Sequence, residues 1–561
     1  MDIKTNERFK KWKEFEGLID ELADDLKSAF ANEDDINDRF YKELEFGTAG
    51  LRGVMGAGTN RMNTYTVGRA TIGYAKYLLK KNDKPSMAIA YDSRNRSKEF
   101  AELTAGIMAH YGVKVYLWPE LMPTPALSFA VRYFGCDGGV VITASHNPAE
   151  YNGYKAYGSD GAQLGQEEAD DVFTKIMAED IFAAGAFVNG YKKGIEDGTI
   201  ELISKEVYDA FIDACSATSL ADDSIDRSAK IAYTPLYGTG LKPVTDCLKK
   251  NGFTNVMVVD EQAKPNGNFP TCPYPNPESR EAMEVGLTFA KENDADILIA
   301  TDPDADRIGI AVKDGDDFKL FTGNEVGILL LDYICTMREK RSMMPKNPVA
   351  VKTIVSSDLA SKVALKHGVE MRDTLTGFKN IGAIVTELSD AGEVERYLIG
   401  FEESYGYMLG DHVRDKDAVS AALGIAEMFA YLKSIGKSIP QRMGEIYKEF
   451  GYYLNTTISY QFPGESGFAK MAEIMKYFRE NPKESIAGYK VNTIEDYTNG
   501  LRGLPKSDVL KYLMEGYNMA VLRPSGTEPK LKLYIGVSAS DAAEAKAIAD
   551  KIKADFEVNL K

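Results

Sequence analysis

Val140-Val141-Ile142-Thr143-Ala144-Ser145-His146-Asn147-Pro148 decides how the chain is read. Residues 140–143 are a β-branched run without polar alternation, the pattern of a strand buried on both faces. The run stops at a loop ending in Asn-Pro, a turn dipeptide. Short strand-like runs also stand upstream at 87–91 and 113–117, with helix-length amphipathic stretches between them. That rhythm predicts a mostly parallel sheet covered by helices. Ser145 then lies beyond the carboxyl end of a strand, where α/β proteins place ligands, and its hydroxyl is a candidate nucleophile. The acyl-transfer elbow GxSxG is excluded, because Thr143 and Asn147 occupy its glycine positions.

The rhythm restarts at 230–234, 256–260 and 296–301. It restarts again at 349–354, followed by a helix at 417–434 that Gly436 closes. The last hundred residues differ. Strand runs at 519–522 and 533–537 flank 523–530, and a helix follows Ser540, which can cap it. The predicted class is α/β: three similar domains with mixed or parallel sheets, then a smaller C-terminal α+β domain. Boundaries near 205, 325 and 450 give domains 1–205, 206–325, 326–450 and 451–561. The first forty-odd residues read as charged helix, broken at 32–37 and followed by a loop with three glycines at 46–53. At 561 residues the chain is too long for one core, which stops growing near about 250–300.

A hydrophobic content of 44% and a charged content of 27% exclude a mostly disordered or fibrous protein. The net charge of −17 repels nucleic acid and anionic membranes, so neither is expected as a partner. An anionic substrate therefore needs a local basic pocket. Five scattered cysteines without CxxC argue against a disulfide framework and against a thiolate zinc site. Charged residues at 1–13 in place of a signal core, and apolar runs too short for a bilayer, predict a soluble cytoplasmic protein.

Asp302-Pro303-Asp304-Ala305-Asp306-Arg307 directly follows the strand run at 296–301. Three carboxylates at alternate positions repel one another, and without a cation at least one pKa rises. In a straight strand, alternate residues lie roughly 6.5 Å apart, too far to share an ion with ligand distances of about 2.1 Å. Pro303 favours a curled loop in which the oxygens converge, and oxygen-only ligands point to Mg2+ or Mn2+. An EF-hand fails, because Arg307 and Lys313 stand where its glycine and glutamate belong. Arg307 is a candidate phosphate contact beside the metal.

Arg523-Pro524-Ser525-Gly526-Thr527-Glu528-Pro529-Lys530 combines hydroxyls, glycine-freed N–H groups and two cations, the donors that a phosphate dianion needs. Gly400-Phe401-Glu402-Glu403-Ser404-Tyr405-Gly406 offers carboxylates beside a hydroxyl, as sugar sites do. Arg414 and Lys416 read as a further anion site, and Asp417 as an N-cap. Gly436-Lys437-Ser438 is not a P-loop, since Tyr431 replaces the first glycine. Gly238-Thr239-Gly240 is not a dinucleotide fingerprint, since Pro243 replaces the third.

These motifs, with Gly47-Thr48-Ala49-Gly50-Leu51-Arg52-Gly53 and Gly377-Phe378-Lys379, resemble in order the α-D-phosphohexomutase superfamily of phosphoglucomutases and phosphomannomutases. The likeness is strongest to the long phosphoglucomutase and phosphopentomutase branch. It implies four domains around a central cleft and exchange of a phosphoryl group between the 1- and 6-oxygens of a hexose phosphate. Glucose is the first choice of sugar, pentose the second and mannose the third; a metal-dependent sugar-phosphate phosphatase is the rival class. A phosphorylated sugar is the implied partner, a sugar 1,6-bisphosphate the activator, and the chain a monomer or homodimer. By motif match Ser145 is the phosphoserine and, with Asp302, Asp304 and Asp306, a ligand of Mg2+. Gly377, Lys379, Glu402 and Ser404 fall in the sugar loops. Arg523, Ser525, Gly526, Thr527 and Lys530 form the phosphate clamp. Lys155 and Arg52 fall near the reacting oxygen; Lys155 suits the role of acid or base if neighbouring cations, Arg52 among them, lower its pKa, with His146 as runner-up. Tyr237 in Pro235-Leu236-Tyr237-Gly238 stands where the family often has histidine, so imidazole chemistry at that position is in doubt.

Overall fold

A computed structural model describes residues 2–47, 50–187, 189–222, 224–462, 466–525 and 530–560. The described residues form four sheets. In the first, Gly138–Ile142, Ser86–Tyr91, Lys114–Leu117 and Ile200–Leu202 run parallel. Tyr151–Gly158 pairs antiparallel with Gly138–Ile142, and Gly50–Val54 pairs antiparallel with Tyr151–Gly158 at the edge. The second sheet repeats the plan. Val256–Val258, Ile231–Thr234 and Ile297–Thr301 are parallel, and Ile308–Asp314 and Asp317–Phe321 close it antiparallel. In the third, Glu370–Thr374, Val349–Thr353 and Tyr397–Glu402 are parallel, and Gly406–Met408 is antiparallel. Every residue of Gly138–Ile142, Ile297–Thr301 and Val349–Thr353 is buried, as helices on both faces of a parallel sheet require.

The fourth sheet is antiparallel throughout its six strands, from Tyr452–Gln461 to Ser485–Ile486. Phe478 and Phe556, from helices Ser466–Glu480 and Ala542–Leu560, join its core. This sheet docks on the third through an apolar cluster of Ile354, Val355 and Leu375 with Tyr497, Val509 and Val521. Beside the cluster, Lys511 Nζ donates to the Ile354 carbonyl at 2.8 Å.

The structure revises several local expectations. Residues 32–37 start a helix instead of breaking one: the Asn32 side chain accepts from the Asp34 and Asp35 N–H groups and caps Glu33–Phe40. The glycine-rich stretch at 46–53 is half strand, because Gly50–Val54 pairs with Tyr151–Gly158. The C-terminal helix is capped by Asp541, whose carboxylate accepts from the Glu544 N–H, and not by Ser540. Gly238 serves close packing, since a Cβ there would meet the Pro303 backbone at 2.4 Å. Tyr237 lies buried in a left-handed conformation, its hydroxyl 2.9 Å from Thr271 Oγ1.

The three α/β sheets share one device. In each, a loop joins a central parallel strand to an antiparallel neighbour: 143–150, 302–307 and 403–405. Each loop carries one non-glycine residue in the left-handed region, Ser145 at φ 53°, Ala305 at φ 45° and Tyr405 at φ 65°. Such backbone turns cost energy and concentrate at functional loops.

Candidate active site

The loops at 143–150 and 302–307 meet. Ser145 Oγ donates to Asp302 Oδ2 at 2.8 Å and lies 3.2 Å from His146 Nδ1. Asp302, Asp304 and Asp306 are buried, and their carboxylate oxygens converge within 4.8 Å. The loop is curled as Pro303 suggested: the Asp306 and Arg307 N–H groups donate back to Asp302 Oδ1 at 3.1 and 2.9 Å. Burial, then the charges of Asp304 and Asp306, hold the Asp302 carboxyl well above the usual range. Asp304 Oδ1 and Asp306 Oδ1 are buried without a hydrogen-bond partner among the described residues. Buried acceptors without partners are costly unless a cation satisfies them, so the donor set fits a hard divalent ion.

Two lysines balance the cluster. Lys155 Nζ lies 2.8 Å from Asp304 Oδ2 and 3.3 Å from Asp306 Oδ2. Lys416 Nζ lies 3.1 Å from Asp306 Oδ2 and 3.1 Å from Asp415 Oδ1. The pKa of Lys155 moves opposite to the lowering that would suit it as acid or base. Burial pulls it down, but Asp304 and Asp306 outweigh burial and leave it raised. Arg52 is exposed on Gly50–Val54, donating to Asn147 Oδ1 at 3.2 Å. His146 is held well below its ordinary pKa by burial, then by Arg307 and Arg52, so its imidazole is neutral at pH 7.

The third loop closes the site from the side. Arg307 bridges Gly406 across the two sheets, and the Ile308 N–H donates to the Tyr405 carbonyl at 3.0 Å. Glu402 Oε1 accepts from the Gly377 N–H at 2.8 Å, and Ser404 Oγ lies 3.5 Å from Glu402 Oε2. Lys379 follows on helix Phe378–Asp390, half-buried, its pKa lowered by burial. Arg307 pairs with Glu278. Arg414 and Lys416 do not form one anion site. Lys416 turns onto Asp306, whereas Arg414 is buried against Thr386 Oγ1 and the Asp411 and Val413 carbonyls. Arg523 lies opposite Lys532 in the fourth sheet, and the Ser525 N–H donates to the Lys530 carbonyl at 2.7 Å. Gly526 and Thr527 lie outside the described residues.

Two supporting residues escaped the sequence reading. Arg94 donates to the Ser145, Asn147, Pro148 and Tyr151 carbonyls and pairs with buried Asp92, so one guanidinium fixes the serine loop. Thr124 caps the other side, its Oγ1 donating to Asp304 Oδ2 at 2.8 Å. Asp92 and Arg94 sit at the end of strand Ser86–Tyr91, a position that is itself a signal for site residues.

Comparison with known proteins matches this geometry. Residues 43–182, 209–315 and 322–450 match the alpha/beta/alpha domains I, II and III of phosphoglucomutase/phosphomannomutase, and 480–554 match the C-terminal domain. A phosphoglucomutase of Staphylococcus haemolyticus is 38% identical over 89% of this chain and 91% of its own length. One from Staphylococcus aureus is 35% identical over 94% and 96%. Among solved structures, the Paramecium phosphoglucomutase parafusin in its open form has a TM-score of 0.67 at 18% identity, covering 92% of this chain and 95% of its own. A Burkholderia thailandensis phosphoglucomutase/phosphomannomutase family protein has a TM-score of 0.67 at 17% identity, covering 92% and 98%. Fold and site define a four-domain phosphohexomutase architecture with a metal-competent acidic loop. The chain belongs to the phosphoglucomutase/phosphomannomutase family. Among the described residues, no single helix is long and apolar enough to cross a membrane.

Proposed function

We propose that the protein is a phosphoglucomutase that exchanges glucose 1-phosphate and glucose 6-phosphate through phosphorylated Ser145 and glucose 1,6-bisphosphate. The 2.8 Å contact between Ser145 Oγ and Asp302 carries the reading, because it joins a nucleophile to a metal-competent loop across two sheets. The curated phosphoglucomutases that match this chain over 91% and 96% of their own length support it.

Asp302, Asp304, Asp306 and an oxygen on Ser145 would hold Mg2+. Bound there, the ion withdraws charge from the phosphoryl oxygens. In the first half-reaction the bond between phosphorus and Ser145 Oγ breaks and one forms to the free sugar hydroxyl. The hydroxyl proton passes to a neighbouring base, and Ser145 Oγ regains a proton. His146, neutral and 3.2 Å from Ser145 Oγ, stands in place to carry that proton. Lys155 and Lys416 keep their protons and offset the carboxylate charge. The bisphosphate turns over, and Ser145 takes the group from the other oxygen. Glu402 and Ser404 hold sugar hydroxyls, with Gly377 and Lys379 alongside. The clamp of Arg523, Ser525, Gly526, Thr527 and Lys530 holds the phosphate that does not react. Phosphoryl transfer needs positioning and charge neutralisation more than covalent help, which suits this inventory. The proposed units are 1–205, 206–325, 326–450 and 451–561, each lending one loop.

Intact-mass analysis after incubation with glucose 1,6-bisphosphate tests the proposal. One phosphoryl group on Ser145, and Mg2+-dependent formation of glucose 6-phosphate that Ser145→Ala abolishes, are expected. Release of inorganic phosphate with an unmodified serine would establish the phosphatase instead. Side-by-side kinetics with glucose, ribose and mannose 1-phosphates test the choice of sugar.

A further inference from the structure

We propose that Cys215, His412 and Asp417 form a second metal site, for a divalent ion of the zinc class, separate from the aspartate loop. Cys215 ends helix Lys205–Ser216, while His412 and Asp417 flank the loop that leads into helix Ala418–Ser434. Their candidate ligand atoms lie within 4.8 Å of one another.

The triangle has the size of a zinc face. Cys215 Sγ is 3.6 Å from His412 Nε2 and 3.6 Å from Asp417 Oδ2, and Nε2 is 3.0 Å from Oδ2. With Zn–S about 2.3 Å and Zn–N or Zn–O about 2.0–2.1 Å, tetrahedral angles set sulfur edges near 3.6 Å and the N···O edge near 3.3 Å. The two sulfur edges agree. The third is shorter because a hydrogen bond, in place of an ion, joins His412 to Asp417.

The surroundings hold the donors in place. Cys215 and Asp417 are fully buried, and Asp417 Oδ1 accepts from the Val419 N–H at 2.9 Å, which orients the carboxylate. The His412 side chain, 9% exposed, leaves one rim open to solvent for entry and a fourth ligand. A thiolate, an imidazole and a carboxylate select a borderline-soft ion over Mg2+, whereas the all-oxygen aspartate loop selects the reverse. Binding requires the thiolate, so the Cys215 thiol proton leaves, and His412 must present Nε2 without a proton. Sequence spacing could not reveal this set, because 197 residues separate Cys215 from His412.

Full-length protein saturated with Mg2+ is titrated with Co2+ and, separately, loaded with Zn2+ for X-ray absorption. The expected result is one Co2+ per chain with a thiolate charge-transfer band, displaced by Zn2+ and not by excess Mg2+. The zinc spectrum should need one sulfur at about 2.3 Å. Cys215→Ser and His412→Gln should each weaken binding at least tenfold, and Cys215→Ser should remove the sulfur signal, while Mg2+-dependent turnover persists. If Cys215→Ser does not fold, His412→Gln alone decides. A zinc shell of oxygen and nitrogen only, or a sulfur signal and affinity unchanged in the folded variants, overturns the site.

Discussion

The loops at 302–307 and 402–405 occupy the same place in their sheets, and both are acidic and turned through a left-handed residue. Their carboxylates are satisfied differently. The aspartate loop leaves Asp304 Oδ1 and Asp306 Oδ1 unpartnered among the described residues and gathers Lys155 and Lys416. The glutamate loop meets neutral donors: Gly377 N–H on Glu402, and the Thr353 and Ser356 hydroxyls on Glu403 at 3.1 and 3.2 Å. Buried carboxylates short of donors call for a cation; carboxylates already accepting from N–H and O–H groups suit a ligand that brings hydroxyls.

Substitutions break this contrast in graded steps. Asp304→Asn removes charge where the orphaned oxygens converge, so turnover falls about a thousandfold and the Mg2+ concentration for half-activation rises. Steady-state assays across Mg2+ concentrations check both. Glu402→Gln keeps an acceptor for Gly377 but loses the charge-assisted bond to sugar. kcat/KM should fall about thirtyfold, equivalent to about 2 kcal/mol, with unchanged Mg2+ dependence. An altered Mg2+ requirement in that variant would erase the distinction between the loops. Glu403 is pushed up by burial, then by Glu402, against its hydrogen bonds and the more distant Lys532 charge. Glu403→Gln should stay within about threefold of the parent in kcat/KM.

The smallest effect lies away from both loops. His367 faces Glu339 at 2.8 Å and Asp332 at 3.7 Å. The nearby Asp332 carboxylate raises its pKa above 6.5, burial opposes, and Glu339 adds to the rise. A raised histidine stabilises the fold fully below about pH 6.5 and loses that contribution as pH climbs through the folded value. The melting-temperature gap between the parent and His367→Gln should therefore be widest near pH 6 and close in more alkaline buffer. A gap that widens with pH contradicts the assignment.

The sequence made the loop chemistry legible because its residues are neighbours in the chain. Alternating aspartates with Pro303 announce a curled ligand loop, and Ser145 announces itself by following a buried strand. Partners brought in from elsewhere were not legible. Arg94 lies 51 residues from Ser145 and Thr124 lies 180 from Asp304, so no shared motif ties them to the loops they hold, and only Arg94's place just after a strand is a signal. The direction of the Lys155 pKa is not legible in the sequence, because the deciding charges, Asp304 and Asp306, belong to another sheet. Residues 32–37 look like a breaker because asparagine and aspartate favour turns and helix caps alike, and only packing decides between them. The repeated loop position carries no shared short motif, since topology and one backbone turn define it.

The bridge between Arg307 and Gly406, with the Ala418 N–H donating to the Ala305 carbonyl at 3.3 Å, rivets the second and third α/β units together beside the aspartate loop. In the proposed reaction the two ends of the sugar must change places. Because this ledge is a single piece, the sugar does the tumbling while the floor stays still.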